Sequence, residues 1–421
     1  MDNLITVVIG DVALVLVVSC AGGAVSRRCR QPAVIGQILA GIALGPSLLG
    51  RLPGNLTVRL FPHSALPSLT VISQVAVVLF MFVVGYELDR STLRRSGRPA
   101  LLVAVASLTV PMALGAGTAV AFRSEFSALG QPSTGHSFIM FLGVATSITA
   151  LPVLAAIMRE RGIFGTAAAV AATAAAGLMD VAAWIVLAAV LASTAGGGGW
   201  PWPVTLLLIT GFTAVMLLGV RPALRWWFGR PSAVLAAALP VALTLSLGSA
   251  WVTAALGLHP VFGGLVAGFT MPGRDGRPDP DVLRPMESIS GTLLPLFFAV
   301  TGLSVNVGAL GVNAFLALAL LLSVACAGKM ASAYGAARVG GLGQRDAATV
   351  AALVNTRGLT ELIVLNIGLA AGLIGPQLFT VLVLMAVLAT VMTSPLLSRV
   401  ARPAPVPPQR RPSEQPRVGA A

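Results

Sequence analysis

Apolar runs of roughly 20 residues recur along the whole of this chain, and that is the length an α-helix needs to cross a hydrocarbon layer about 30 Å thick. A membrane β-barrel also satisfies its backbone in lipid, but its strands read as short alternating segments. These runs are continuous and rich in Ala, Leu and Val. Hydrophobic residues make up 56% of the 421 residues and charged ones 10%, so no polar coat exists that would surround a soluble core of this size. The expected fold is an all-α polytopic membrane protein.

Thirteen spans are expected, near residues 4–25, 32–50, 69–88, 100–122, 137–158, 164–194, 203–220, 232–257, 259–271, 289–307, 313–338, 346–371 and 376–398, the ninth being short. The net charge of +13 follows from where the arginines fall. Loops after odd-numbered spans, together with the tail, hold twenty-two arginines, whereas the opposite loops hold only Arg51, Arg59 and Arg123. The positive-inside rule then puts the N-terminus outside and the C-terminus in the cytoplasm of a cell membrane, expected to be bacterial. Charge accounts for topology here and leaves no basic stripe for nucleic acid.

The chain begins with Asp2 rather than a basic region and lacks a clear small-residue cleavage site, so the first span is expected to be retained. Cys20, Cys29 and Cys326 are scattered and fit neither a disulfide framework nor a metal site. His63, His136 and His259 fall in loops or at span ends, as solvated or capping residues. With no His cluster and no nucleophile beside a base, the spans offer nothing for an enzyme, and no cofactor is expected.

The second and ninth spans look like copies: P-A-V-I-G-Q-I-L-A-G from Pro32 to Gly41, and P-V-F-G-G-L-V-A-G from Pro260 to Gly268. The following spans repeat the likeness, with L-F-M-F-V-V-G from Leu79 to Gly85 against L-F-F-A-V-T-G from Leu296 to Gly302. A third pair sets Ala145 to Leu151 against Asn355 to Leu362. Matching spans are an odd number apart, so the halves cross the membrane in opposite directions, which is a signature of secondary transporters. The seventh span is then the bridge between two inverted repeats.

Span five carries Gly143, Thr146, Ser147, Thr149 and Pro152, and span twelve carries Asn355, Thr356, Arg357, Gly358, Thr360 and Glu361 at the equivalent place. Neither suits an unbroken apolar helix. Backbone freed at such breaks is tolerated where it lines a cavity, and half-helix ends there offer dipoles and carbonyls to an ion. Four ionisable residues, Asp180, Lys329, Arg357 and Glu361, are expected deep in the membrane, each needing protein or water around it. Arg357 and Glu361, spaced i,i+4, read as a structural ion pair. Asp180 follows the small residues Ala172, Ala175, Ala176 and Gly177, which let neighbouring helices come close. A single carboxylate holds a proton or a hard cation but not both, which is the chemistry of exchange. Lys329 is the only lysine against 26 arginines, and lysine, unlike arginine, can release its proton.

With these residues in view, the chain resembles the monovalent cation:proton antiporter-2 family, which contains bacterial sodium or potassium/proton antiporters and the plant cation/H+ exchangers. The likeness covers residues 30–400 and rests on Pro32 to Ser47, Phe82 to Asp89, Ser147 to Ala155, Met179 to Trp184 and Asn355 to Leu369. It implies two crossed broken helices beside Asp180, as the aspartate that carries the alkali cation, Na+ or K+. It also implies a moving core of helices 4–6 (91–194) and 11–13 (308–398) against a dimerising panel of helices 1–3 (1–90) and 8–10 (231–307). The linker helix falls at 195–230 and a disordered cytoplasmic tail at 399–421. The expected ion and proton site is Asp180 with Thr146, Thr149 and Lys329; Met179, Asn355, Thr356, Arg357 and Glu361 are assigned to structure or gating at the breaks.

The family usually has Asp-Asp or Asn-Asp where this chain has Met179 before Asp180. A thioether is a poor ligand for an alkali cation and cannot accept a salt bridge from Lys329. One carboxylate fewer favours electroneutral, one-for-one exchange. Gln37 stands where relatives often have Glu, in the panel and away from the site. The tail is too short for the nucleotide-binding domain that relatives append, so that mode of gating is not expected. The partners expected are the cation, protons, lipid and a second copy in a homodimer. Two other readings remain open from sequence: a proton-coupled exporter of an organic cation or antibiotic on the same fold, and a passive cation channel.

Overall fold

The computed structural model describes residues 2–54, 56–87, 97–131, 134–163, 166–194, 202–229, 238–257, 259–274 and 278–401. The expected tail lies outside them beyond residue 401, as does the Gly196–Gly199 stretch before the bridge. Among the described residues twelve helices are long and apolar enough to cross a membrane, and a shorter apolar one spans Pro260–Thr270. That short helix is the ninth span of the sequence pattern.

In chain order the membrane helices are α1 (Asp2–Arg28), α2 (Ala33–Leu44), α3 (Leu66–Glu87) and α4 (Gly97–Ala121). Span five is split into α5 (His136–Ser147) and α6 (Leu151–Glu160), followed by α7 (Ala167–Thr194). Next comes α8 (Trp202–Ala214), which continues through a π-helical turn at Val215–Val220 into Arg221–Phe228. The second half holds α9 (Ala238–Ala255), α10 (Pro260–Thr270), α11 (Pro280–Leu303) and α12 (Val312–Val339). Span twelve is split into α13 (Gln344–Val354) and α14 (Leu359–Ala370), and α15 (Pro376–Val400) completes the set.

The repeat is built crosswise. Helix α2 packs on α11, while its sequence copy α10 packs on α3, the copy of α11. Glycines at matching places make both contacts possible. A Cβ on Gly302 would lie 2.1 Å from the Gly41 carbonyl carbon, and one on Gly268 would lie 2.1 Å from the Phe82 carbonyl oxygen. Without side chains the backbones meet directly, and close approach is what draws helices together in lipid, where no hydrophobic force acts between them.

Two sets of helices pack mainly among themselves. Helices α4, α5, α6, α7, α12, α13, α14 and α15 form one, and α1, α2, α3, α9, α10 and α11 the other. The bridge that begins with α8 touches α7 of the first set and, through its π-helical turn, α10 of the second. One apolar cluster, containing Trp184, Phe141, Leu265 and Phe298, spans both sets. A second, containing Met179, Leu154, Val350 and Leu353, is built from residues of the first set and is joined by partly buried Val34. Asp180 follows Met179 and precedes Ala183 and Trp184, so it sits where one cluster gives way to the other.

Candidate functional site

Why α5 stops is written in its last residues. The chain leaves the helix at Ile148 and Ala150, both in extended conformation, and re-enters at Leu151 with Pro152 in the first turn, where a missing N–H costs nothing. A helix that ends in mid-membrane strands its last carbonyls away from water, where each unpaired group is costly. Two buried cations take four of them in succession. Arg357 donates from Nη1 to the Ala145 carbonyl at 3.0 Å and from Nη2 to the Thr146 carbonyl at 2.5 Å. Lys329 donates from Nζ to the carbonyls of Ser147 and Ile148, the latter at 2.6 Å. Positive charge at a helix C-terminus is also favoured by the helix dipole.

The break in span twelve is made by Gly358, whose φ of +155° lies where a side chain is strained. A Cβ there would also lie 2.9 Å from Val153 Cγ2. The two broken segments cross and are tied by two hydrogen bonds. The Ala150 N–H donates to the Thr356 carbonyl at 3.1 Å, and Thr149 Oγ1 donates to the Val354 carbonyl at 3.1 Å. Neighbouring α15 holds the second segment, through Asn355 Nδ2 donating to the Ala389 carbonyl at 3.2 Å and the Arg357 N–H donating to Thr390 Oγ1 at 3.0 Å.

Asp180 lies in α7 beside this crossing with 2% of its surface exposed. Neither carboxylate oxygen has a hydrogen-bond partner of normal geometry. Its electrostatic neighbours are Lys329 and the backbone N–H of Leu151, the first residue of α6. An anion at a helix N-terminus and a cation at the facing C-terminus use both ends of one break. Arg357 Nη1 and Glu361 Oε1 form a fully buried ion pair at 2.8 Å, the i,i+4 pair that the spacing predicts. The four buried groups are thus two acids and two bases.

The expected site residues divide on this geometry. Asp180, Lys329, Thr149 and Met179 come together, with Thr149 Oγ1 also 3.9 Å from the Met179 sulfur. The Thr146 hydroxyl turns instead toward α4, donating to the Pro111 carbonyl at 3.1 Å, and it is its own carbonyl that meets Arg357. With Met179 unable to accept a salt bridge, Lys329 is held instead by the backbone carbonyls of Ser147 and Ile148. Asp11 is a buried ionisable group besides the four expected in the membrane. It lies in α1, is 5% exposed, and its Oδ2 has no hydrogen-bond partner. An acid inside an apolar run was the available signal.

Among the described residues no group of three or more His, Cys, Asp or Glu is placed to hold a metal ion.

The family model described as "Sodium/hydrogen exchanger, transmembrane" matches residues 13–401. This chain belongs to the sodium/hydrogen exchanger family. It is 38% identical to Cation/H(+) antiporter 20 of Arabidopsis thaliana over 407 residues, 93% of this chain and 48% of that one. It is 34% identical to the Na(+)/H(+) antiporter NhaS4 of Synechocystis, covering 96% of this chain and 99% of that one. The chain therefore spans about half the length of the plant relatives it matches. Among solved structures, the sodium proton antiporter MjNhaP1 of Methanocaldococcus jannaschii shares the fold, with a TM-score of 0.67 over 94% of this chain and 97% of that one, at 14% identity.

Proposed function

We propose that this family member is a secondary antiporter that exchanges Na+ or K+ for H+ by alternating access, with Asp180 as the group for which cation and proton compete. The observation that carries this is the isolation of one carboxylate. Asp180 is buried, neither of its oxygens has a hydrogen-bond partner of normal geometry, and the carbonyls at the facing helix end are already taken by Arg357 and Lys329. Its desolvation costs at least ~2.5 kcal/mol at mid-membrane, a cost that a purely structural residue has no reason to carry. Loading a cation or a proton neutralises it, and a neutral site is what can cross a low-dielectric barrier. With Met179 beside it, one charge of each kind exchanges and transport is electroneutral.

The helices α4 to α7 and α12 to α15 then move as one body against α1 to α3 and α9 to α11, the latter pairing two copies in a homodimer. The arginine-poor face is the outside. The relatives reported above are named as antiporters, which leaves the channel and drug-export readings without support.

The test is a panel of alkali cations applied to proteoliposomes holding a preset proton gradient. Wild type should collapse the gradient on addition of its cation, and Asp180→Asn should not. Full exchange by Asp180→Asn removes the reading.

A further inference from the structure

The contacts that join the helix sets on the arginine-poor side of Asp180 include an aromatic pair and a side-chain hydrogen bond. In the first, Trp184 of α7 and Phe262 of α10 meet edge to face, with ring centroids 5.5 Å apart and planes at 81°. Trp184 is one helical turn beyond Asp180, on the same side of α7. It is 3% exposed, and its indole Nε1 has no acceptor. The second is a hydrogen bond from Asn366 Nδ2 of α14 to Thr301 Oγ1 of α11, at 2.9 Å.

At the second contact is a cavity of about 250 Å³ between α3, α11 and α14, lined by Ser73, Gln74, His259, Thr301 and Asn366 on its polar side. Gln74 Oε1 has no partner there. Its apolar floor includes Val77, Phe297 and Ile363, which belong to the same cluster as Trp184. No charged side chain lines the cavity, and its polar side suits a hydrated cation. The floor does not, because stripping water from a cation against hydrocarbon is unfavourable.

We propose that Trp184 and Phe262 are the seal that closes Asp180 off from the arginine-poor face, and that the Asn366–Thr301 hydrogen bond latches the same side. Each partner of each contact belongs to a different helix set, so sliding one set past the other opens both together. An edge-to-face ring pair excludes water while held only by dispersion and quadrupole attraction, so it parts without leaving a buried charge unpaired. Trp184 is on this reading a positioning and gating residue that need not touch the cation. The seal rests on Asp180 being the exchange site, and its test has a readout that does not depend on exchange.

The full chain is reconstituted in proteoliposomes with a pH-sensitive dye inside, and proton flux is read with and without alkali cation. Trp184→Ala and Phe262→Ala should each raise the cation-independent flux several-fold and lower the ratio of coupled to uncoupled flux. Trp184→Phe should keep the wild-type ratio, because the ring and not the N–H makes the seal. The double alanine variant should leak no more than the worse single one, since both remove one contact. In a second measurement Ala183→Cys, in a background with Cys20, Cys29 and Cys326 replaced by Ser, is exposed to a membrane-impermeant thiol reagent. Phe262→Ala should speed labelling from the arginine-poor face and leave labelling from the other face unchanged. Wild-type leak together with unchanged labelling in Phe262→Ala overturns the seal, as does faster labelling from the arginine-rich face alone. Loss of the Asp180 reading would show as exchange retained by Asp180→Asn, with the labelling result still deciding the seal.

Discussion

Lys329 donates from Nζ to the Ile148 carbonyl at 2.6 Å, and so the one lysine of the chain closes the end of a helix that stops inside the membrane. The charge that looks most like a transport group is used first to satisfy backbone. Replacing it by Met keeps the bulk and strands the carbonyls of Ser147 and Ile148. Charge-assisted hydrogen bonds of this kind contribute about 1.5–3 kcal/mol each. Lys329→Met should therefore lower the thermal unfolding midpoint of the purified protein clearly, whether or not cation is present. An unchanged midpoint would show that Lys329 has no structural task.

Gly358 is the second place where backbone dictates residue type. At φ +155° an alanine is strained whatever space surrounds it, and here the space is also taken by Val153 Cγ2. Backbone held in such a region costs about 1–3 kcal/mol. Gly358→Ala should lose stability and exchange together, because the same turn sets the position of Arg357 and of the Thr356 carbonyl. Adding Val153→Ala removes the clash but not the dihedral cost, so rescue should be partial. Full rescue would mean that packing alone, and not φ, fixes the glycine.

Arg357 and Glu361 pair at 2.8 Å, yet the two are not equal partners. Arg357 also holds the carbonyls of Ala145 and Thr146, whereas Glu361 Oε2 has no further hydrogen bond. Removing the acid leaves the guanidinium two acceptors; removing the base strands a carboxylate and two carbonyls at once. Breaking a buried pair from one side costs about 3–5 kcal/mol. Arg357→Met should reach or exceed that range and Glu361→Gln should fall below it, in unfolding of the detergent-solubilised protein. The reverse order would contradict the carbonyl-capping role of Arg357.

The spans, the short ninth helix and the two breaks were legible because lipid allows few alternatives: an apolar run long enough to cross must be helix, and polar residues within it need a reason. The copies Pro32–Gly41 and Pro260–Gly268 were legible for the same cause. That the copies pack crosswise, Gly41 on Gly302 and Gly268 on Gly85, was not, because likeness of sequence says which helices are equivalent and not which ones touch. The partners of Lys329 were hidden because backbone carbonyls leave no mark in a sequence. Asp11 was visible as an acid in an apolar run. Its burial depends on which face of α1 meets α2 and α11, and exposure of Ile5, Ile9 and Val17 beside buried Val15 shows that face only in three dimensions.

Met179 offers the sharpest test of charge stoichiometry. Its sulfur sits 3.9 Å from Thr149 Oγ1, next to the one carboxylate that the exchange reading requires, and it is 1% exposed. With only Asp180 to load, a cation and a proton each cross as a single charge in opposite senses, and no net charge moves. Uptake by wild type at clamped membrane potentials should therefore keep its rate at saturating cation and its reversal point. Met179→Asp adds a second carboxylate that can take up its own proton, so the cation-loaded and proton-loaded forms no longer carry equal charge. Each elementary charge moved across the membrane is worth about 2.3 kcal/mol per 100 mV, enough to make the variant's reversal point follow the imposed voltage. Met179→Asn adds polarity without charge and should behave as wild type. Strong voltage dependence in wild type would refute one-for-one exchange, and a voltage-insensitive Met179→Asp that still transports would show that position 179 does not face the ion.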